Sequence, residues 1–381
     1  MARDARYDAI VIGLGAHGSG ATLALTRRGL RVLGIEAGER GHELGSSGGH
    51  SRMIRRAYYE HPSYVPLLSA AWEEWSRLGD EVGEQMVEAT GGLYAGPATS
   101  DLVRGSIESA REQGIAHEVL DADEIRRRWP VFTVGDETRG LFDPGAGMIR
   151  PERAIRAQLA IAERGGAELR FGERAIDWRP GRSGGLEVET DKGVHAANHL
   201  VITAGAWTGY FVPDLGLPLE VERLPVLWFE PKVDPDEVSS GRLPVWMMDT
   251  AEDGVFYGFP YDSALGLKVS RHHSGERCQP DAVDRSLHAA DVERIRAFSR
   301  RNMPAADGPL RTSAVCLYTN TPDLHFVVDV HPEVEGVAFA SACSGHGFKF
   351  APVIGEILAD LATTGSTAQP IDLFRWDRFA R

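Results

Sequence analysis

The sequence begins with an alternation of apolar and amphipathic stretches. An apolar run from Tyr7 to Ile12 leads into a glycine-rich turn, then a helical pattern from about Gly18 to Arg28, then a second apolar run from Arg31 to Ile35. This strand–helix–strand order predicts a parallel sheet with crossover helices.

The same alternation returns twice later in the chain. A helical pattern over 152–164 precedes strand-like runs at 168–171 and 199–203. A strand at 337–340 is followed by a helix from about Pro352, where apolar residues recur at helical spacing. These returns extend the predicted parallel sheet.

Between these segments lie two strand-rich excursions. The predicted fold class is therefore α/β, with a Rossmann-like nucleotide-binding domain and an interleaved, antiparallel-sheet substrate domain. We assign 1–85, 146–219 and 320–381 to the discontinuous nucleotide-binding domain, and 86–145 and 220–319 to the substrate domain.

Composition narrows the choice of partners. The chain has 381 residues, 43% of them hydrophobic, and a formal net charge of −14, which argues against nucleic acid or an anionic membrane surface as a partner. Three scattered cysteines favour neither a disulfide framework nor a zinc site, and we expect no metal. With no pattern that reads as a targeting sequence, we expect a cytoplasmic protein.

The glycine-rich turn has the spacing of a dinucleotide site. Gly13, Gly15 and Gly18 follow the first strand and open a helix, whose N-terminus favours the anionic oxygens of a pyrophosphate. Glu36 ends the second strand at the distance expected for a residue that holds ribose hydroxyls. The pattern predicts a dinucleotide but does not separate FAD from NAD.

Lysine is scarce in this sequence. Only four of the 41 basic residues are lysines: Lys192, Lys232, Lys268 and Lys349. A desolvated lysine can lose its proton and an arginine effectively cannot, so a retained lysine can mark a position that needs one. Lys192 and Lys232 lie in polar, turn-like settings, which indicates surface positions.

Four separated motifs resemble one family of enzymes. These are Gly-Ser-Ser-Gly-Gly-His-Ser-Arg-Met-Ile-Arg-Arg-Ala-Tyr at 45–58, Tyr-Gly-Phe-Pro at 257–260 with Leu-Lys at 267–268, Cys-Leu-Tyr-Thr-Asn-Thr-Pro-Asp at 316–323, and Ser-Gly-His-Gly-Phe-Lys-Phe at 344–350. In kind and order they resemble the monomeric sarcosine oxidases and N-methyltryptophan oxidases, FAD-dependent amine oxidases of the D-amino acid oxidase-like superfamily.

The resemblance implies a cofactor and a reaction. FAD would be held covalently through a thioether to Cys316, and a small N-methyl amino acid such as sarcosine would be demethylated with O₂, giving formaldehyde, the amino acid and hydrogen peroxide. The enzyme would be a monomer. The same class also includes oxidases of a bulkier N-methyl amino acid such as N-methyltryptophan, of a cyclic amino acid such as pipecolate, or of glycine. Outside that class, the sequence is compatible with a flavin dehydrogenase that passes electrons to a protein, an NAD-dependent enzyme, or a non-catalytic flavin-binding protein.

The resemblance also implies roles for single residues. Lys268 would lie over the flavin ring and promote its reaction with oxygen, and Arg52 and His272 would also be catalytic. Arg55 and Lys349 would clamp the substrate carboxylate, since a guanidinium fork and an ammonium both suit that group. Tyr257, Tyr318 and Met248 would complete the substrate pocket. The residues expected to hold FAD are Gly13, Gly15, Gly18, Glu36, Ser46, Ser51, Arg52, Cys316, Gly345, Gly347 and Lys349.

The sequence departs from the family at one place. Ser47 and Gly48 stand where the family has a histidine pair, and His50 is displaced by two positions. His50 therefore does not inherit the family histidine's role by position.

Overall fold

The computed structural model describes residues 6–182, 184–273 and 275–380. Its strands, in chain order, are β1 (Tyr7–Ile12), β2 (Val32–Glu36), β3 (Arg52–Ile54), β4 (Val87–Ala89), β5 (Gly92–Pro97), β6 (Glu118–Asp121), β7 (Thr138–Asp143), β8 (Gly147–Ile149), β9 (Glu168–Phe171), β10 (Ala175–Pro180), β11 (Leu186–Thr190), β12 (Gly193–Ile202), β13 (Glu220–Phe229), β14 (Val245–Asp249), β15 (Val255–Gly258), β16 (Leu267–Arg271), β17 (Glu276–Arg277), β18 (Leu310–Asn320), β19 (Val327–Val330) and β20 (Val337–Ser341).

The α-helices are α1 (Ala16–Arg27), α2 (Tyr64–Val82), α3 (Asp101–Glu112), α4 (Ala122–Arg128), α5 (Pro151–Arg164), α6 (Thr208–Phe211), α7 (Ala289–Asn302) and α8 (Ala351–Thr364). The helices expected near 18–28, 152–164 and after Pro352 are α1, α5 and α8. Among the described residues, no helix is both long and apolar enough to cross a membrane.

An eight-stranded sheet forms the first layer of the fold. Its order is β10-β11-β12-β1-β2-β9, with β20 pairing β12 and β19 pairing β20. Strands β20, β12, β1, β2 and β9 run parallel, as the sequence predicted, and β10, β11 and β19 add antiparallel pairs. The central strands read as near-continuous apolar runs because both faces of this sheet are covered.

A second sheet of nine strands forms the other layer. Its order is β17-β13-β16-β15-β14-β5-β7-β6, and β18 pairs β13. All its pairs are antiparallel except β14 with β5, which run parallel. Its strands come from 92–143 and 220–320, and those of the first sheet from 7–36, 168–202 and 327–341. The mixed α/β fold is confirmed, and the exact domain boundaries stay a prediction.

Two helices that pack on the first sheet cross each other at close range. Helix α1 packs on α8, and glycines from both helices meet there. A Cβ atom built on Gly355 would lie 2.3 Å from the carbonyl carbon of Gly20, and one on Gly20 would lie 2.6 Å from the Ala351 oxygen. The two backbones are therefore too close for any side chain between them.

This crossing predicts an inverted response to a helix-favouring substitution. Gly→Ala in a helix interior ordinarily stabilises by up to about 1 kcal/mol. We expect Gly355→Ala instead to destabilise the protein by about 1–3 kcal/mol, because the methyl group overpacks the crossing. Gly209→Ala in α6 is the control, since its Cβ would lie 3.7 Å from the nearest atom. Chemical denaturation measures both, and equal stability of the two variants would contradict the prediction.

Candidate active site

The carboxyl ends of the parallel strands form one wall of a cavity. Gly13 follows β1, Glu36 ends β2, Thr203 follows β12 and Ser341 ends β20, and all four line the cavity. Ligands of open α/β sheets bind at this edge, where helix N-termini and strand ends converge. The cavity has a volume of about 550 Å³ and continues from there to the second sheet.

Backbone contacts explain the spacing of the glycine turn. Gly13 has φ of 86°, and a Cβ atom there would lie 2.6 Å from the Thr203 oxygen. Gly18 lies behind the cavity wall, where a Cβ atom would lie 1.7 Å from the Gly13 oxygen. Gly15 lines the cavity beneath Ser47, whose Oγ accepts a hydrogen bond from Ala16 N at 3.3 Å. Gly18 thus serves close packing, and Gly15 faces the ligand.

Glu36 is held as a charged acceptor. Its Oε2 accepts a hydrogen bond from Leu14 N at 2.9 Å, and its Oε1 accepts one from Gly38 N at 3.0 Å. Burial alone would raise the pKa of Glu36, but these bonds and His42 at 3.1 Å outweigh it and lower the pKa. An ionised carboxylate suits the ribose hydroxyls expected at this place.

Most of the residues predicted from the sequence meet in this one cavity. It is lined by Gly13, Gly15, Glu36, Ser46, Ser51, Arg52, Arg55, Tyr257, His272, Cys316, Tyr318, Gly345, Gly347 and Lys349. These residues lie on both sheets and on loops from both ends of the chain. The cavity therefore joins the predicted nucleotide site to the predicted substrate pocket.

The prediction that Met248 lines the substrate pocket is wrong. Met248 is buried in the core of the second sheet with Trp246 and Phe256, and its neighbour Met247 lines the cavity. Successive side chains of a strand point to opposite faces, so an error of one residue along β14 changes the face.

Lys268, which the resemblance placed over the flavin ring, is buried next to the cavity and is not one of the described residues that line it. Its buried ammonium donates hydrogen bonds to Gly49 O at 2.8 Å, to Ser51 O at 2.9 Å and to Ser51 Oγ at 3.1 Å. It also lies 4.6 Å from the centre of the Phe259 ring. Burial, followed by the charge of Arg52, lowers the pKa of Lys268 well below its usual value. In this structure Lys268 holds the loop at 49–51 in place, and its hydrogen-bond partner Ser51 lines the cavity.

Arg52 lies beside the thiol of Cys316. Its Nη2 is 3.7 Å from Cys316 Sγ, and its guanidinium donates to the carbonyls of Ser46, Gly48 and Ser51. The Cys316 thiol in turn donates to Gly48 O at 3.4 Å. Reactive cysteines are typically found in electropositive settings of this kind.

A second group of charges lines the same cavity. Arg55 is buried and forms an ion pair with Glu60, and it donates to Ala57 O at 3.1 Å. Lys349 is also buried, and its Nζ donates to His346 O at 2.6 Å. Burial, followed by the charge of Arg55, lowers the pKa of Lys349 to about 7. Among the described residues Glu60 pairs with Arg55 and no carboxylate pairs with Lys349, so the two cations can bind an added anion.

His50 takes no part in the cavity. Its backbone N donates to Glu152 Oε1 at 3.0 Å, and its ring meets the edge of Trp228 with centroids 5.9 Å apart. The side-chain atoms of Glu43, His50 and Glu152 that could ligate a metal ion lie within 4.8 Å of one another. Of these three residues, Glu152 alone lines the cavity. The displaced histidine is thus not a substitute for the family's pair.

The lining fits FAD. His17 Nε2, Ser46 Oγ and Ser341 Oγ are buried on residues that line the cavity, and they have no hydrogen-bond partner among the described residues. Buried polar atoms are nearly always paired, so a polar ligand is expected to satisfy them. Glu36 and the glycine turn suit the ribose and pyrophosphate, and the aromatic end near Tyr257 suits the isoalloxazine.

Sequence reasoning missed several residues of this site: His17, Tyr58, Glu60, Met247 and His346. Glu60 had a usable signal, because an arginine-rich run that enters a core needs an acidic partner and Glu60 is the first acid after it. His346 lies in the motif at 344–350. Tyr58 likewise ends the motif at 45–58, and for Met247 the sequence carries no local signal.

The lowered pKa of Lys349 predicts a pH-dependent anion site. Only the ammonium form attracts a carboxylate, so the Kd for acetate should level off below pH 7 and rise about tenfold per pH unit above it. Isothermal titration calorimetry between pH 6 and 9 measures this dependence. Lys349→Arg is the control, because arginine keeps its charge throughout this range. The same steep rise in Lys349→Arg would assign the titration to another group.

Comparison with known proteins supports this geometry. A family model described as FAD dependent oxidoreductase matches residues 8–361. The chain is 41% identical to a monomeric sarcosine oxidase of Streptomyces avermitilis, with 98% of each chain covered. It is 34% identical to an N-methyl-L-tryptophan oxidase of Salmonella heidelberg, with 99% of this chain and all of that one covered.

Among solved structures, the fold is similar to that of NikD, described as an unusual amino acid oxidase essential for nikkomycin biosynthesis. The TM-score is 0.86 at 23% identity, with 97% of each chain covered. At 23% identity this structural similarity shows the fold alone. The family model and the two relatives show which family the chain belongs to. The chain belongs to the DAO family of FAD-dependent oxidoreductases.

Proposed function

We propose that this protein is an oxidase that demethylates a small N-methyl amino acid, with sarcosine as the first candidate. FAD, when bound, would accept a hydride equivalent from the substrate's C–N unit and pass the electrons to O₂. Water would complete the reaction, so that N-methyl amino acid, O₂ and water give the amino acid, formaldehyde and hydrogen peroxide. The two relatives carry names of this reaction class.

The observation that carries the proposal is the buried pair Arg55 and Lys349 at the end of the FAD cavity. A carboxylate bound between them would fix the substrate at one point. The aromatic residues Tyr257 and Tyr318 would restrict its remaining movement and exclude water. Orienting the reacting carbon in this way is the protein's main contribution in a flavoenzyme.

Apolar residues complete the substrate end of the cavity. Met53, Met247 and Phe259 line the cavity, and their apolar side chains suit contact with a methyl group. His272 also lines it, and burial lowers the pKa of His272 well below its usual value, so its imidazole is neutral at pH 7. This lining supports a small, partly apolar amine as the substrate.

Covalent attachment of FAD through Cys316 is part of the proposal. The thiol lies beside the Arg52 guanidinium and lines the same cavity as Glu36, so the isoalloxazine would lie next to Cys316. We further propose that the enzyme acts as a monomer in the cytoplasm, as the name of the Streptomyces relative and the scattered cysteines suggest.

A panel of amines tests the reaction. Sarcosine, N-methyltryptophan, proline, pipecolate and glycine are supplied to the holoprotein and hydrogen peroxide is measured. We expect sarcosine to be oxidised with the highest kcat/KM. Dimethylamine, which has an N-methyl group and no carboxylate, should be at least about a hundredfold poorer, because it forgoes two charge-assisted hydrogen bonds of roughly 1.5–3 kcal/mol each.

Different results would indicate a different function. Anaerobic bleaching of the flavin by an amine without peroxide formation in air would indicate a dehydrogenase. A flavin that no amine bleaches would indicate a binding protein without this activity. Preference for pipecolate or glycine would keep the enzyme class and change the substrate.

Attachment of the cofactor has a separate test. After acid precipitation the wild-type pellet should be yellow, because a thioether survives denaturation and non-covalent FAD is released. The pellet of Cys316→Ser should be colourless, and that of Cys343→Ser should stay yellow although Cys343 also lines the cavity. A yellow Cys316→Ser pellet would place the linkage elsewhere.

A further inference from the structure

Tyr58 is in contact with both Arg55 and Lys349, the two cations proposed to bind the substrate carboxylate and called the carboxylate pair below. It lies on the loop between β3 and α2 and is 1% exposed. The Arg55 guanidinium carbon is 4.2 Å from the centre of its ring, and Lys349 Nζ is 5.2 Å from the same centre. A cation over an aromatic ring is attracted by the ring's electron density, more strongly when water is excluded.

This shared ring offsets a repulsion. Arg55 and Lys349 carry like charges in a buried place, and Arg55 is one cause of the lowered pKa of Lys349. Tyr59 and Tyr94 also lie near Arg55, with ring centres 4.9 and 5.7 Å from its guanidinium carbon. Among the described residues, Tyr58 is the aromatic residue in cation–ring contact with both members of the pair.

The hydroxyl of Tyr58 reaches Lys349 by a second route. Its Oη lies 2.6 Å from His346 Nδ1, and His346 Nε2 lies 3.1 Å from Leu324 O. A carbonyl only accepts, so Nε2 carries the ring proton and Nδ1 accepts the proton of Tyr58. Burial lowers the pKa of His346 to about 3, which keeps the imidazole neutral. The backbone oxygen of this same His346 accepts the hydrogen bond from Lys349 Nζ.

We propose that Tyr58 is a positioning residue of the carboxylate pair: its ring holds Arg55 and Lys349 together beside one aromatic face or edge, and its hydroxyl fixes His346, to whose backbone Lys349 is anchored. The inference rests on the proposed function, because it assumes that the pair binds a carboxylate. It goes further by placing the specificity for that group on an uncharged residue that the bound carboxylate need not touch.

Tyr64 supplies the matched control. It is equally buried, its ring centre is 5.1 Å from that of Tyr58, and its hydroxyl accepts a hydrogen bond from Phe326 N at 3.3 Å. Neither Arg55 nor Lys349 is in cation–ring contact with it among the described residues. A role of Tyr58 as ordinary core would predict the same behaviour of both tyrosines.

The experiment compares Tyr58→Phe, Tyr58→Leu and Tyr64→Phe as holoproteins. Acetate is titrated and the change in flavin absorbance gives its Kd between pH 6 and 9, and steady-state kinetics give kcat and KM for sarcosine. We expect Tyr58→Leu to raise the Kd of acetate and the KM about tenfold or more, with kcat changed less than about threefold. Tyr58→Phe, which keeps the ring, should raise both about threefold, and Tyr64→Phe should leave both at the wild-type value.

The outcomes separate the two hypotheses. A folded Tyr58→Leu that binds acetate like wild type, or a Tyr64→Phe that weakens binding as much as Tyr58→Phe, would overturn the positioning role. If Tyr58→Leu does not fold, the comparison of the two phenylalanine variants decides. If no amine is oxidised, the proposed function fails, and the acetate titration still decides whether Tyr58 organises the anion site.

Discussion

Positive charge buried around one cavity is the constraint on which the site depends. Arg55, Lys268 and Lys349 are all buried, and removing such groups from water costs several kcal/mol each unless they are paired or hydrogen-bonded. Among the described residues, Glu60 is the only carboxylate in an ion pair with any of the three. Backbone carbonyls supply the remaining partners, so the loops at 46–51 and 344–350 fold around the cations and present their amides and hydroxyls to the cavity.

The same buried positive charge would make the proposed site selective for a carboxylate. The whole chain carries a formal net charge of −14, yet the substrate end of the cavity holds two cations against one carboxylate. Glu60 neutralises Arg55, and Lys349 is left near the midpoint of its titration at neutral pH. An incoming carboxylate would stabilise the ammonium form, so binding and protonation of Lys349 are coupled. An uncharged amine gains nothing from this arrangement.

Particular residues show how far the sequence could lead. The spacing of Gly13, Gly15 and Gly18 predicted the turn because Gly13 and Gly18 each meet backbone atoms too closely for a side chain, while Gly15 lines the cavity. The scarcity of lysine was informative as well: Lys268 and Lys349 are buried, and Lys192 and Lys232 are exposed. The prediction for Met248 differs from the structure because residues adjacent on a strand face opposite ways, so an error of one position places a residue on the core side.

By itself, the sequence determined the α/β class and a dinucleotide site at the strand ends, because these follow from local periodicity and from a glycine motif whose spacing is fixed by the backbone. FAD and the residue types expected around it came from the resemblance of four motifs to a known family. The tertiary structure alone decided which side chains face the cavity. In the structure Ser51 lines the cavity and Lys268 lies behind it, and Met247 lines the cavity where Met248 was expected. Tyr58 and His346, which are 288 residues apart, are joined by a hydrogen bond. Such contacts depend on how distant segments pack around the cavity, and no local pattern encodes the distance between residues that far apart in the chain.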